Sequence, residues 1–305
     1  MSTRRQFVTA LAGFAAGSAL AATRQAWAGH TPLRVAISAE TLGGATIDDA
    51  RAAYRVWWAQ VGQRLGYRHF ELVNQIFFPT APLLQMIRAG QVDCFAITAW
   101  EYASVVDLVD PNYIVVENYA TDGIDYFLVV HSNSPYKRIE DLKGTKLLLQ
   151  HHRDTTLLRA WLGVELSKAG RPDVDQFFDS PEMHEQVSKV ILPVFFGKAQ
   201  AAGISRRAYN MAVELNPQLG RNLRIIATSP KVVADGFLFR KGCDPEDRRG
   251  FQQTLEQLDT IPEGRQVLAL YQIVGYTTRS CSILSGTLEM IRQYQRICKH
   301  SEGRL

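Results

Sequence analysis

The chain has 305 residues, of which 46% are hydrophobic and 21% are charged, and its formal net charge is +4. This composition is typical of a soluble globular protein, and the length suffices for one large core or for two lobes. The lysines and arginines are scattered rather than clustered. This distribution excludes the basic footprint that binding to nucleic acid requires.

The first 28 residues have the pattern of a twin-arginine export signal. Arg4 and Arg5 precede an apolar run over 10–22, and 26–28 supplies a small-x-small cleavage site. That run is too short and too rich in Ala and Gly to span the ~30 Å hydrocarbon core of a membrane. We therefore expect export by the twin-arginine (Tat) machinery and a periplasmic mature protein that starts near Gly29.

The cysteines show no spacing typical of a metal or redox site. No C-x-x-C pair occurs, which argues against a zinc knuckle or a thioredoxin-like centre. The periplasm permits disulfides, and the sequence leaves their pairing open. Cys94 lies within an apolar strand pattern and is expected to be buried. The four cysteines are Cys94, Cys243, Cys281 and Cys298.

Strands and helices alternate in the first half of the chain. Short apolar runs bounded by turn residues predict strands over 33–37, around Val73, over 92–97 and over 113–117. A loop with Gly43 and Gly44 leads to a helix, and a further helix over 82–89 ends at Gly90.

A second series of strands and helices follows a strongly apolar strand over 126–131. Its predicted strands are 146–150, 174–178, 200–204 and 223–227, and its predicted helices are 138–142, 155–168, 181–191 and 206–215. A further strand over 236–240 precedes a mostly helical remainder, 245–299, with breaks at 262–264 and Gly275.

This order predicts an α/β fold with two lobes, each a mostly parallel sheet flanked by helices. Two strands cross between the lobes, as in a hinged clamshell that closes on a ligand. The predicted segments are the signal 1–28, the first part of lobe 1 over 29–125, lobe 2 over 126–235, and the return strand with C-terminal helices of lobe 1 over 236–305.

Several motifs, in this order and spacing, resemble a known family. They are Ala89-Gly-Gln-Val-Asp93, the stretch Ile139-Glu-Asp-Leu-Lys-Gly-Thr-Lys146, and Gly197-Lys-Ala-Gln-Ala-Ala-Gly203. Together they resemble the type 2 periplasmic solute-binding proteins, in particular the phosphate/phosphite/phosphonate-binding family of ABC transporters. The resemblance implies a protein that captures a small anionic solute, closes by hinge motion and delivers it to a membrane ABC permease. We also expect a monomer without cofactor or metal.

One stretch departs from the family pattern. Phosphonate binders place a cluster of Ser and Thr at the helix after the second-lobe strand, where hydroxyls and helix N-terminal amides hold the oxyanion. This chain has His151-His-Arg-Asp-Thr-Thr156 there. Thr155 and Thr156 keep the hydroxyls, and Asp154 would repel an anion unless it caps the helix. A metal would need more ligands than this stretch offers.

Candidate binding residues lie in loops at the carboxyl ends of predicted strands, where open α/β sheets bind ligands. Ser205 has an alternative role as a helix cap, and Arg206 is a candidate partner for an anion. Trp100 and Tyr102 are candidates to wall the pocket. The full set is Ser38, Glu40, Thr80, Trp100, Tyr102, His151, His152, Arg153, Thr155, Thr156, Ser205 and Arg206.

A sensor function remains open for this fold at the level of sequence, and a metal-binding protein or an enzyme is a weaker alternative. The same binding protein would serve equally as the sensor subunit of a membrane histidine kinase. An enzyme is not indicated, because the chain has neither a G-x-S-x-G elbow nor an H-E-x-x-H motif, and no activated nucleophile lies beside the histidine pair.

Overall fold

The computed structural model of the chain describes residues 33–42, 48, 50–51, 70–118, 123–270 and 273–302. The predicted export signal over 1–28, the Gly43-Gly44 loop and most of the helix predicted after it lie outside these residues. In the described part of the chain, no helix is both long and apolar enough to cross a membrane.

The described residues form eleven strands, which divide between two sheets. They are β1 Leu33–Ser38, β2 Phe70–Phe78, β3 Cys94–Thr98, β4 Val109–Glu117, β5 Tyr126–His131, β6 Lys146–Gln150, β7 Asp179–His184, β8 Ala201–Ser205, β9 Leu223–Thr228, β10 Asp235–Arg240 and β11 Tyr276–Arg279. The first sheet has the order β11-β4-β10-β3-β1-β2, and the second has the order β7-β6-β8-β5-β9. We call the parts built on them the first and the second lobe.

Helices flank both sheets. They are α1 Thr80–Arg88, α2 Ala99–Tyr102, α3 Leu158–Lys168, α4 Val174–Phe177, α5 Val187–Phe195, α6 Arg206–Leu215, α7 Pro217–Asn222, α8 Pro245–Glu256, α9 Pro262–Leu270 and α10 Ser285–Glu302. Strands β3 and β8 are buried along their whole length, as expected for strands covered on both faces.

Both sheets are mixed, which corrects the prediction of mostly parallel sheets. β1 is parallel to β2 and β3, and β6 is parallel to β7 and β8. Parallel strands need a long crossover connection, such as the one through α1 between β2 and β3. β10 runs antiparallel to β3 and β4, and β5 runs antiparallel to β8 and β9. Both β5 and β10 enter their sheets from the other lobe, so they run against the strands built by the crossovers.

Two short segments of chain cross between the lobes and pair with each other. The backbone N–H of Ile124 donates to the carbonyl of Val232 at 2.8 Å, and the N–H of Val232 donates back at 2.7 Å. Gly123 has a φ of 132°, and a Cβ there would lie 2.7 Å from the carbonyl oxygen of Val232. Only glycine fits this approach. The chain therefore crosses between the lobes just before the strands over 126–131 and 236–240. These two strands were predicted to cross between the lobes, but each lies within a single sheet.

The C-terminal helix α10 packs against α3 of the second lobe as well as against α2 of the first. Gly163 of α3 makes this approach possible, because a Cβ at that position would lie 2.5 Å from Cε2 of Tyr294. The largest hydrophobic cluster accordingly joins the lobes, since it includes Phe95 from β3, Trp161 from α3 and Ile291 from α10.

The segment 174–195 differs from the prediction. The expected strand over 174–178 is the short helix α4, and the expected helix over 181–191 is strand β7 followed by α5. The apolar positions 174, 177 and 178 have helical spacing, which favours a helix over the predicted strand. β7 is a polar edge strand, so it carries no apolar alternation that would identify it. The four-residue edge strand β11 was not predicted either.

All four cysteines are unpaired thiols. Cys94 is completely buried in β3, as its apolar surroundings in the sequence indicated. Burial raises the pKa of the Cys94 thiol well above its ordinary value, so this thiol is held in its unreactive protonated form.

Candidate ligand-binding site

A cavity of about 450 Å³ lies between the lobes, near the carboxyl ends of β3 and β6. Its volume is within the usual range for small-molecule pockets, roughly 300–1,000 Å³. The first lobe contributes Glu40, Thr80, Leu84, Thr98, Trp100, Glu101 and Ser104, and the second contributes Leu149, Gln150, His151, His152, Thr155, Thr156, Leu158, Arg159 and Met183.

The structure places seven of the sequence candidates in the cavity wall and five outside it. Those in the wall are Glu40, Thr80, Trp100, His151, His152, Thr155 and Thr156. Those outside it are Ser38, Tyr102, Arg153, Ser205 and Arg206. Each of these five has a protein partner that accounts for its position.

Glu101 organises the first-lobe wall, and sequence reasoning missed it. Its buried carboxylate accepts hydrogen bonds from the hydroxyls of Ser38 at 2.6 Å, Thr80 at 2.8 Å and Thr98 at 3.0 Å, and from the Thr98 backbone N–H at 2.8 Å. The Thr98-x-x-Glu101 capping box at the start of α2 was the available signal. Because Ser38 and Thr80 give their protons to Glu101, they offer only lone pairs to other groups.

Thr156 and His152 dominate the second-lobe wall. Oγ1 of Thr156 is buried and has no hydrogen-bond partner among the described residues. By contrast, Thr155 donates its hydroxyl proton to the carbonyls of Gln150 at 2.8 Å and His152 at 2.9 Å. Nδ1 of His152 accepts from the Asp154 N–H at 3.2 Å, so a neutral ring carries its proton on Nε2. The hydroxyl of Thr156 and the Nε2–H group of His152 are therefore available to donate hydrogen bonds to a ligand.

Arg153 and Arg206 pair with carboxylates beside the crossing segments instead of lining the cavity. Arg153 of the second lobe forms a short ion pair with Glu117 at the end of β4, and its Nε lies 3.7 Å from Asp154. Arg206 pairs with Asp125, with its Nε 2.9 Å from Oδ1. These partners are distant in sequence, so the residue pattern alone did not reveal them.

The remaining candidates outside the wall have structural positions. Ser205 is buried and caps α6, accepting from the Ala208 N–H at 3.3 Å, which was its alternative role. Tyr102 is buried in the first lobe, where desolvation and contact with Cys281 raise the pKa of its phenol to about 12.

Charge is distributed unevenly across the site. Desolvation raises the pKa of Asp235 to about 6; Arg153 acts in the opposite direction, while Asp154 and Glu101 raise it further. The first-lobe wall carries Glu40 and Glu101, and none of its described residues is a lysine or an arginine. The second-lobe wall carries the histidines and Arg159, which makes it the more positive surface.

No group of three or more His, Cys, Asp or Glu side chains suited to a metal ion occurs within the ranges that the structure describes. His151 and His152 lie together in the wall, but further ligands for a metal do not accompany them.

Two mixed α/β sheets, two paired crossing segments and a cavity between the lobes define a periplasmic-binding-protein fold. The family described as "ABC transporter, phosphonate, periplasmic substrate-binding protein" matches residues 46–281. The chain belongs to this family, which confirms the resemblance seen in its motifs.

Solved structures support the same fold. XAC2383 from Xanthomonas citri bound to ATP is 16% identical, with a TM-score of 0.60 over 89% of this chain and 99% of that one. PhnD1 from Prochlorococcus marinus in complex with methylphosphonate is 14% identical, with a TM-score of 0.57 over 87% and 98%. A binding protein component of an ABC phosphonate transporter from Pseudomonas aeruginosa is 16% identical, with a TM-score of 0.55 over 88% of each chain. No curated protein matches the chain.

Membership of this family assigns the broad role. The chain is the substrate-binding component of a transport system rather than an enzyme, it binds a small ligand, and it works in the periplasm with a membrane ABC permease.

Proposed function

We propose that the chain captures a small phosphorus oxyanion, of the phosphonate or phosphite class, in the cavity and presents it to its permease after hinge closure. The observation that carries this proposal is the buried hydroxyl of Thr156, which has no partner and lies in the cavity wall just before α3. A buried hydroxyl without a partner costs stability, so a ligand that satisfies it is favoured.

The surroundings of Thr156 suit an anion. The first N–H groups of a helix have no partners within it and, with the helix dipole, attract negative charge. Thr156 directly precedes the N-cap of α3, and the ring of His152 offers an additional donor. A phosphonate or phosphite presents several oxygens and can accept from all of these groups at once.

The carboxylates set the orientation of the ligand. Glu40 and Glu101 lie in the first-lobe wall, where they repel an oxyanion. The anionic group therefore faces the second lobe, and the substituent of the ligand faces Trp100 and Glu40. This orientation also supports hinge closure, because the ligand then touches both lobes.

Three finer points belong to the same proposal. The signal pattern over 1–28 supports export by the Tat machinery. The lobe boundaries 29–125, 126–235 and 236–305 are supported by the strand order, since β1 to β4, β10 and β11 form one sheet and β5 to β9 the other. We expect the protein to act as a monomer.

A ligand screen tests the proposal. The purified chain, freed of carried-over ligand, is melted with phosphate, phosphite, methylphosphonate, 2-aminoethylphosphonate, sulfonates, carboxylates and divalent metals. A phosphorus oxyanion at 100 times its Kd should stabilise the fold by about 2.7 kcal/mol. If no phosphorus oxyanion raises the melting temperature, the proposed ligand class is disproved.

Thr156→Val provides the matching site test. It should weaken binding of the responding oxyanion by at least tenfold, because one hydrogen bond to a charged group is worth about 1.5–3 kcal/mol. Thr228→Val is the control, since Thr228 is exposed and lies outside the cavity wall. Equal affinities of the two variants would show that the hydroxyl of Thr156 does not contact the ligand.

A further inference from the structure

The C-terminal helix α10 reaches the rear of the binding cavity. We infer that Tyr294 of α10 is a positioning residue that holds Arg159 in the cavity wall, where the guanidinium contacts the anionic group of the ligand. The inference rests on the proposed oxyanion ligand for the contact, and on the geometry of α10 and α3 for the positioning.

Arg159 has the chemistry and the place for this contact. It lies in the first turn of α3, in the cavity wall with Thr156, and its side chain is half-buried. Of the wall residues in the described part of the chain, Arg159 is the one with a permanent positive charge. A guanidinium presents two parallel N–H groups that match the oxygens of a phosphonate.

Tyr294 and Asp175 determine where the guanidinium points. Arg159 forms an ion pair with Asp175, which is exposed, and its guanidinium lies beside the hydroxyl of Tyr294, whose ring packs at Gly163 one turn further along α3. That hydroxyl in turn donates to Oδ2 of Asp173 at 3.4 Å. With its proton directed to Asp173, Tyr294 presents lone pairs to Arg159. Burial lowers the pKa of Arg159, but the bonds to Asp175 and Tyr294 outweigh it and raise the pKa.

Tyr294 is itself fixed by contacts from both lobes. Its ring packs directly against Gly163, where a side chain would leave no room for it. The same ring contacts the ring of Trp100 edge-on, with centroids 6.2 Å apart and an interplanar angle of 69°. The indole N–H of Trp100 donates to the carbonyl of Thr156 at 3.3 Å. One side chain of the C-terminal helix therefore touches Trp100 of one wall and Arg159 of the other.

Loss of the Tyr294 hydroxyl should release Arg159 from the wall. A free arginine side chain samples many rotamers, and its pair with exposed Asp175 holds it weakly. The affinity for an oxyanion should then fall roughly fivefold, which corresponds to one intramolecular hydrogen bond.

A double-mutant cycle in the full chain tests whether Tyr294 positions Arg159. Calorimetric titrations measure the affinity of each variant for methylphosphonate. We expect Arg159→Gln to lose roughly 30-fold or more in affinity, since it removes a charged partner, and Tyr294→Phe to lose about fivefold. In the Arg159→Gln background, Tyr294→Phe should have no further effect. Additive effects of the two changes would overturn the positioning role, as would wild-type affinity of Tyr294→Phe.

The control is Tyr209→Phe, which removes the hydroxyl of a buried tyrosine that packs edge-on against Phe127 outside the cavity wall. It should bind methylphosphonate as the unmodified chain does. Melting curves of each variant establish that the fold is retained.

A second readout does not depend on any ligand. The NMR signal of the Arg159 Nε–H group, identified by its loss in Arg159→Gln, should shift and broaden in Tyr294→Phe and stay unchanged in Tyr209→Phe. An unchanged signal in Tyr294→Phe overturns the positioning role. If no phosphorus oxyanion binds the chain, the proposed function fails, and this signal still decides the positioning. Binding to Arg159→Gln with full affinity would overturn the ligand contact alone.

Discussion

Glu101 shows how one buried carboxylate can order a pocket wall. It collects donors from Ser38, Thr80 and Thr98, and it has no cationic partner among the hydrogen bonds and ion pairs of the described residues. The wall therefore depends on an acceptor that only a carboxylate supplies in full, because each of its two oxygens takes two bonds.

Glu101→Gln should destabilise the fold by about 1–3 kcal/mol. An amide replaces one acceptor oxygen with a donor, which then faces the Thr98 N–H and leaves buried groups unpaired. Chemical denaturation measures the change. Glu165→Gln is the control, because Glu165 forms only a surface pair with Lys168 and should change stability by less than about 0.5 kcal/mol. Equal stability of the two variants would contradict the organising role of Glu101.

Asp235 should make stability depend on pH between about 4 and 6. Its pKa is raised from 3.8 to about 6, so in this range the folded chain keeps a proton that the unfolded chain loses. The folded state binds more protons, and this carboxyl therefore lowers stability as the pH rises. Asp235→Asn should melt progressively higher than the unmodified chain from pH 4 to 6, with a constant difference above that. Parallel melting profiles would contradict the raised pKa.

Individual residues also show which parts of the site the sequence could predict. The rule that ligands bind at strand ends found Thr80, Trp100, His152 and Thr156 in the wall. It misplaced Arg153 and Arg206, because their partners Glu117 and Asp125 precede them by 36 and 81 positions. Ion pairs over such separations are set by the tertiary fold and leave no local pattern.

At the scale of elements, the strands with apolar sequences were predictable and the polar ones were not. β5 and β10 are apolar and buried, and their predicted limits agree with the structure within one residue. β7 is mostly exposed at the edge of its sheet, where pairing with β6 alone determines its conformation. A helix was predicted in its place, because local propensity cannot report a partner strand.

The contact of α10 with α3 depends on Gly163. Gly163→Ala would place a Cβ 2.5 Å from Cε2 of Tyr294 and 2.9 Å from Oδ1 of Asp173, so the helices must separate or Tyr294 must move. We expect destabilisation by about 1–3 kcal/mol, measured by chemical denaturation. Gly286→Ala on α10 is the control, since its Cβ would meet open space and an alanine favours the helix. Equal stability of the two variants would refute the tight fit.

At the scale of the whole molecule, side-chain contacts connect the two lobes. Arg153 of the second lobe pairs with Glu117 of the first beside the crossing segments, and Trp100 donates to the carbonyl of Thr156 across the cleft. The pair is almost completely buried, so it resists screening by salt. These two contacts should therefore help to hold the lobes together.

Glu117→Gln should open the ligand-free molecule. Loss of the carboxylate leaves Arg153 without its partner in the first lobe, and the radius of gyration measured by small-angle X-ray scattering should increase. Asp110→Asn is the control, because it breaks the pair with Arg248, which lies within the first lobe. An unchanged radius in Glu117→Gln would show that the ion pair does not hold the lobes together.

The strand order has a consequence for synthesis on the ribosome. β10 lies in the middle of the first sheet, between β3 and β4, although it follows every strand of the second sheet in the chain. A nascent chain that has emerged as far as β9 holds all the strands of the second lobe, while the first lobe still lacks its central strand. Domains generally fold as they emerge. The first lobe, whose strands are synthesised first, is therefore completed last. The edges of β3 and β4 stay unpaired until β10 has emerged.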